Sequence, residues 1–422
     1  MINYSTFSLD NGLRVIHNHD SSTAMVCVNI LYNVGSRDED SALTGLAHLF
    51  EHLMFGGSLH SSDFDAEMER AGGMNNAWTS DDFTNFYDIA PAVNLDTLLW
   101  LESDRMLSLA FSPESLEVQR SVVSEEFKQT HLNRPYGDLM HHLRRLLYSV
   151  HPYRIPTIGA DLSHIEKVSM EDVREFFFNH YAPNNAVLAI SGNVSEEEVR
   201  EKVSYWFGDI PRRDIKPRLY PSEPPQTSPR SATVCGDVPR ALVVVAFPMP
   251  AYGEEGYVEC DLITDILSSG RAARYYRRLT MGDPLIAEAD ASISGSEEAG
   301  FLMLKASLNE DTPEALESVR SRLISEASAL HMEESSTHPD GVSEGEVRRA
   351  VNRYLTQNEF RSQSFTGRAQ ALAMAEMHGE DINSIATLYE AVTVADIAST
   401  ARRVIDPNRA CTLFYRTKGT SE

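Results

Sequence analysis

Cysteine is scarce in this chain of 422 residues: Cys27, Cys235, Cys260 and Cys411 lie far apart and make no C-x-x-C pair. That spacing argues against a disulfide framework or a cysteine-based zinc module and fits ordinary reduced thiols. Positive charge is short as well, with 37 Lys and Arg against 62 Asp and Glu and a formal net charge of -25. No basic stripe is available for phosphates, so no nucleic-acid partner is expected. The acidity suits solubility, and it suits cationic or neutral peptides as ligands. No stretch approaches the roughly 18 apolar residues of a membrane span, so none is expected. The opening MINYSTFSLD has neither a basic nor an apolar segment, and no secretory signal is read there. A cytoplasmic location is the simplest expectation; a periplasmic one applies if a signal peptide was removed.

What is present reads as a globular protein, with 42% hydrophobic and 23% charged residues. The length calls for two or more domains. Alternation and turn residues predict a hairpin over 6–17 around Asn11-Gly12, a buried strand over 24–32 and extended segments over 74–79 and 83–89. Helices are predicted over 64–71, 95–109, 112–130, 136–147, 170–178 and 195–207, with a strand over 186–190. The Ser112-Pro113 pair marks one helix start. Six prolines between Pro211 and Arg230 then have the composition of an extended linker. Beyond it come a strand over 241–247, a helix over 257–267, a strand over 301–308 and helices over 313–329, 343–357, 364–376 and 393–404. A last strand covers 410–415. Strands and helices mix without a regular β-α alternation, so the expected class is α+β. The organisation expected is two similar halves, each a mostly antiparallel sheet packed with helices: domains over 1–210 and 231–422, joined by the linker 211–230.

The stretch GLAHLFEHLMFGG over 45–57 has no internal Pro or Gly between Leu46 and Phe55 and stops at a Gly pair. It is apolar except at His48, Glu51 and His52. A helix apolar nearly all round is normally buried, and a buried ionisable group is costly unless paired or bound to a metal. Positions i and i+4 share one helix face, so His48 and His52 can hold one ion with Glu51 beside them. The spacing H-x-x-E-H inverts the better-known H-E-x-x-H zinc motif. The strand–loop–helix at 241–267 faintly repeats the one at 24–53, aligning Asp261, Thr264 and Asp265 with His48, Glu51 and His52. That second copy has no metal site.

A catalytic zinc takes three protein ligands and keeps one position for water. The third should be a Glu, Asp or His on another element, and the helix after Ser112-Pro113 offers Glu125 and Glu126. Neighbours on a helix point about 100° apart, so only one of them can reach a given ion.

With Glu126 standing 74 residues after His52 (126 − 52), the H-x-x-E-H stretch resembles the pitrilysin family of zinc metallopeptidases, which includes insulysin and the mitochondrial processing peptidase. Gly72-Gly73, Asn76-Ala77-Trp78-Thr79, Asp82-Phe83-Thr84 and Tyr181-Ala182-Pro183-Asn184-Asn185 extend the resemblance, in order, over most of residues 1–210. The second half resembles the family only in layout. The resemblance implies a Zn2+ cofactor with His48, His52 and Glu126 as ligands, Glu125 being the alternative third, and Glu51 as general base. It implies that the strand with Asn76 and Ala77 takes the main chain of a peptide substrate, although Asn is also a common turn residue. It further implies an endopeptidase acting on short or unfolded peptides in a clamshell chamber, with subunits paired as a homodimer or with a related chain.

Two positions depart from the family. Gln119 stands where many relatives carry a second acidic residue two turns before the ligand. Self-sufficient relatives also carry a spaced Arg and Tyr after the segment matching 270–279; here Glu288 stands at the Tyr position. A partner subunit could supply that pair. A non-catalytic structural subunit of the same fold is the rival of another class, and the presence of the metal residues argues against it. Arg271, Arg274, Arg277 and Arg278 read as a solvated basic helix face.

Overall fold

The structure, a computed structural model, describes residues 1–216 and 218–419; Pro217 of the proline-rich segment lies outside the described residues. Among the described residues, eleven strands form two sheets. The first contains β1 (Ser5–Ser8), β2 (Arg14–His19), β3 (Met25–Tyr32), β4 (Met74–Thr79), β5 (Thr84–Pro91) and β6 (Ala186–Gly192) in the order β1-β2-β6-β3-β5-β4. The second contains β7 (Arg230–Gly236), β8 (Ala241–Pro248), β9 (Ile286–Ser294), β10 (Phe301–Leu308) and β11 (Cys411–Thr417) in the order β7-β11-β8-β10-β9. Each sheet has one parallel pair, β2 with β6 and β11 with β7, and is otherwise antiparallel. Without β1, the two orders are the same.

The helices of the first half are α1 (Leu46–Leu53), α2 (Phe64–Arg70), α3 (Leu95–Leu107), α4 (Pro113–Phe127), α5 (Leu139–Leu147), α6 (Leu162–Lys167), α7 (Met170–His180) and α8 (Glu196–Phe207). Those of the second are α9 (Tyr257–Ser268), α10 (Pro313–Ser328), α11 (Glu344–Gln363), α12 (Phe365–His378), α13 (Ile382–Glu390) and α14 (Val394–Val404). The α+β class expected from the sequence is the one found. The helix read over 112–130 ends at Phe127 and passes into a π-helical turn, Lys128–Leu132. No helix among the described residues is long and apolar enough to cross a membrane.

The chain divides into two compact units, but not at a single linker. One unit is Met1–Lys128 with Ile155–Tyr220 and Gln357–Ile385; the other is Gln129–Arg154 with Pro221–Thr356 and the chain from Ala386 onward. Helix α12 therefore belongs to the first unit and α5 to the second. Helix α12 lies on β6, β3 and β2, where Ala369, Leu372 and Ala373 join Ile16, Cys27, Leu31, Val187 and Ala189 in a buried cluster. Helix α5 lies on β11, β8 and β7, with Leu143 and Leu147 packed against Val244, Ala246 and Leu413. Each sheet thereby has apolar cover on a face that its own half would leave wet.

In the first unit the larger core lies on the opposite face, between the sheet and α1, α3, α4, α7 and α8. A buried ion pair is set into it. Arg105 donates through Nε to Glu102 Oε2 at 2.8 Å, and its guanidinium lies 4.4 to 5.1 Å from the centroids of Phe55, Phe64 and Phe86. Charge-assisted bonding and three aromatic faces compensate for burying the cation.

Candidate metal site

Helix α1 is short, and its orientation is fixed by what it buries. Leu46, Ala47, Leu49, Phe50 and Leu53 face the core, and Phe50 stacks on Tyr181 at 4.3 Å between ring centroids. This leaves His48, Glu51 and His52 on the other side, half-buried rather than enclosed. The His48 and His52 rings stand edge to face, 5.0 Å apart. Helix α4 packs alongside α1 and brings Glu126 up to both: its Oε2 lies 3.6 Å from His48 Nε2 and 3.4 Å from His52 Nε2. One ligand atom from each of the three lies within 4.8 Å of the others, and they form the one such His/Cys/Asp/Glu group among the described residues.

Glu125 points elsewhere. Its carboxylate accepts from Lys128 Nζ at 2.5 Å, and its side chain is 61% exposed against 38% for Glu126. The one-residue offset along α4 thus decides which carboxylate reaches the histidines. Gln119, two turns earlier, makes no charged contribution.

Burial lowers the basicity of His48, a shift that Glu126 opposes. The hydrogen bond with His52 holds the Glu126 carboxyl below its usual range. Burial raises the Glu51 carboxyl, against the hydrogen bond from Thr79. Thr79 Oγ1 donates to Glu51 Oε2 at 2.5 Å, so the end of strand β4 fixes the acid that α1 presents. Two imidazole nitrogens and one carboxylate oxygen converging on one point make a donor set able to hold a divalent transition metal.

Strand β4 is the free edge of its sheet. Asn76 is exposed in the middle of it, paired in register with Tyr87, and its Oδ1 accepts the Ala77 amide at 2.8 Å. Asn76 is therefore a strand residue, not a turn cap. Ala77 packs on the core.

In the second unit Glu288 lies exposed on β9, opposite Ser307. The expectation of a solvated basic face fails at Arg274, which is buried. Its guanidinium donates twice to Glu346, at 2.7 Å each, and to the carbonyls of Asp340 and Gly341. Two contacts around the site had no signal in the sequence. Thr79 touches Glu51 across 28 positions. Glu39 accepts the amides of Gly45 and Ala47 at the start of α1 from a loop with no fixed phase.

Comparison with known proteins gives the family. Residues 14–161, which contain His48, Glu51, His52 and Glu126, match the family model described as insulinase, peptidase family M16. Residues 167–338 match the model of the peptidase M16 inactive domain. The chain is 30% identical over 308 residues to the zinc protease PqqE of Helicobacter pylori, covering 71% of this chain and 69% of that one. A crystal structure of a protease from Helicobacter pylori superposes with a TM-score of 0.90 at 24% identity, covering 99% of this chain and 100% of the other. That of a peptidase M16 inactive domain from Pseudomonas fluorescens superposes at 0.87 with 14% identity, covering 100% of this chain and 99% of that one. With two M16 models side by side along it and a relative of this similarity, the chain belongs to peptidase family M16, the insulinase or pitrilysin family.

Proposed function

We propose that this chain is a zinc endopeptidase, with His48, His52 and Glu126 holding the ion and Glu51 acting as general base. The observation that carries the proposal is that both histidine Nε2 atoms face Glu126 Oε2 while Glu51 stands beside them, bonded to Thr79. Zinc held by these residues would activate water and polarise the scissile carbonyl. Glu51 takes the proton of the attacking water as its oxygen bonds to the carbonyl carbon, then delivers that proton to the amine as the C–N bond breaks. Its raised proton affinity suits a group that must both accept and release a proton. The free edge at Asn76 and Ala77 receives the substrate main chain as an added antiparallel strand. Backbone pairing of this kind accepts many sequences, which fits short or unfolded peptides.

A second reading keeps the zinc site but makes activity depend on a related partner subunit. It is favoured by Glu288, which offers an exposed carboxylate where self-sufficient relatives present a Tyr. In either case the working unit is a pair of chains, the same or related. Hydrolysis of a quenched fluorescent peptide by the purified chain, alone and then with a related chain, tests both readings. Activity of the single chain that is lost to a chelator and restored by Zn2+ supports the first. Activity only with the second chain supports the alternative, and none in any combination overturns both.

A further inference from the structure

We infer that Glu39 is a positioning residue for the metal site: it locks the first turn of α1, and with it the His48 imidazole. The inference rests on the zinc reading above. Helix α1 has only eight residues, and so short a helix spends a large part of its stability on its first turn. The leading amides of a helix have no partner within it, and its N-cap, Gly45, has no side chain with which to accept one. Gly45 is held to glycine by a φ of +87°, and a Cβ there would stand 3.0 Å from the Ile158 carbonyl oxygen.

The missing acceptor comes from six residues upstream. Glu39 Oε2 accepts the Gly45 amide at 2.8 Å and its Oε1 accepts the Ala47 amide at 2.7 Å, so one carboxyl spans the turn. Ala47 immediately precedes His48. The loop between is tied down as well: Thr44 Oγ1 bonds to His164 Nδ1 at 2.8 Å and accepts the Ala160 amide at 2.9 Å. Burial pushes the Glu39 carboxyl up to about 8 in spite of its two donors. Helix α9 also opens on a left-handed glycine, Gly256. There the Tyr257 amide is bonded to the Glu254 carbonyl oxygen, and among the described residues the helix carries no metal-ligand cluster.

The test uses the full chain and three variants: E39A, E39Q and, as a control, D63A. Asp63 caps a different helix, α2, by accepting the Ala66 amide at 3.0 Å. Zinc affinity is measured by competition with a chelator, and amide hydrogen exchange is followed over residues 45–49 in the zinc-free chain. Residues that orient a ligand without touching the metal typically contribute about ten- to hundredfold in metal affinity. E39A should weaken zinc binding by that factor and speed exchange at Gly45 and Ala47. E39Q retains a carbonyl acceptor and should recover part of both. D63A should leave both unchanged. Zinc bound equally by wild type and E39A overturns this inference alone, whatever the exchange shows. A wild-type chain that binds no zinc sinks the zinc reading and this inference with it. Should E39A fail to fold, E39Q against wild type decides by the same two readouts.

Discussion

In the first unit the helix after the central strand presents His48, Glu51 and His52; in the second, the helix after β8 presents Asp261, Thr264 and Asp265 in the same register. Burial fixes that register: Ala47, Leu49, Phe50 and Leu53 are buried in one helix, and Cys260, Leu262, Ile263 and Ile266 at the matching positions of the other. The next layer differs in sign. Helix α4 delivers Glu126 to the two histidines, whereas α11, in the corresponding place along the chain, delivers Arg353 to Asp265 at 3.2 Å. Tyr389 Oη donates to Asp261 Oδ2 at 2.9 Å, and Ser269 also bonds Asp265. One arrangement leaves its ligand atoms pointed at a common centre, and the other uses up its acids in hydrogen bonds. A shared strand order thus does not by itself bring donor atoms together; the convergence of three side chains does.

Five substitutions can break or sharpen this contrast. The largest effect is expected from Glu126→Gln, which should strip zinc from the protein, while Glu125→Gln retains it; metal analysis of the two purified variants checks this. The opposite pattern would move the third ligand to Glu125. Next, Arg105→Met removes the cation from the buried pair behind α1 and leaves Glu102 uncompensated at full burial. Breaking such a pair costs about 3–5 kcal/mol, read as a lower urea midpoint.

A smaller, pH-dependent effect belongs to His180. Burial lowers its pKa from 6.5 to about 4, and its Nδ1 has no hydrogen-bond partner among the described residues. The unfolded chain therefore binds more protons than the folded one between those values. Stability should be full above pH 6.5 and fall on acidification toward pH 4, by at most about 3 kcal/mol. His180→Phe should flatten that part of the curve of unfolding midpoint against pH. The smallest effect is Asp265→Asn in the second unit, a partly exposed pair worth about 1 kcal/mol or less. It should leave zinc content and hydrolysis unchanged. Loss of zinc there would abolish the distinction between the two helices.

Much of the site was legible because its information is local. His48, Glu51 and His52 occupy one helical turn, and an i, i+4 pair reads directly from sequence. Glu126 was preferred over Glu125 only through the family resemblance, because the physical reason, the rotation of α4 against α1, is contained in no spacing along the chain. Strand β9 escaped notice because its Ala, Ser and Asp residues at a half-buried edge lack the apolar alternation of β5. Strand β7 follows directly on the proline-rich segment and alternates Arg, Ala and Val with Ser, Thr and Cys. The exchange of α5 and α12 was invisible for another reason. An apolar helix face records that it must be covered, but not which sheet will cover it.

The most direct measurement of the central claim is peptide hydrolysis and zinc content in Glu51→Gln. Removing the base while keeping the ligands should cost about 10²- to 10⁴-fold in kcat/KM, with zinc content equal to that of the wild type. Hydrolysis at the wild-type rate, or loss of the zinc, would contradict the roles assigned to Glu51 and to the three residues around it.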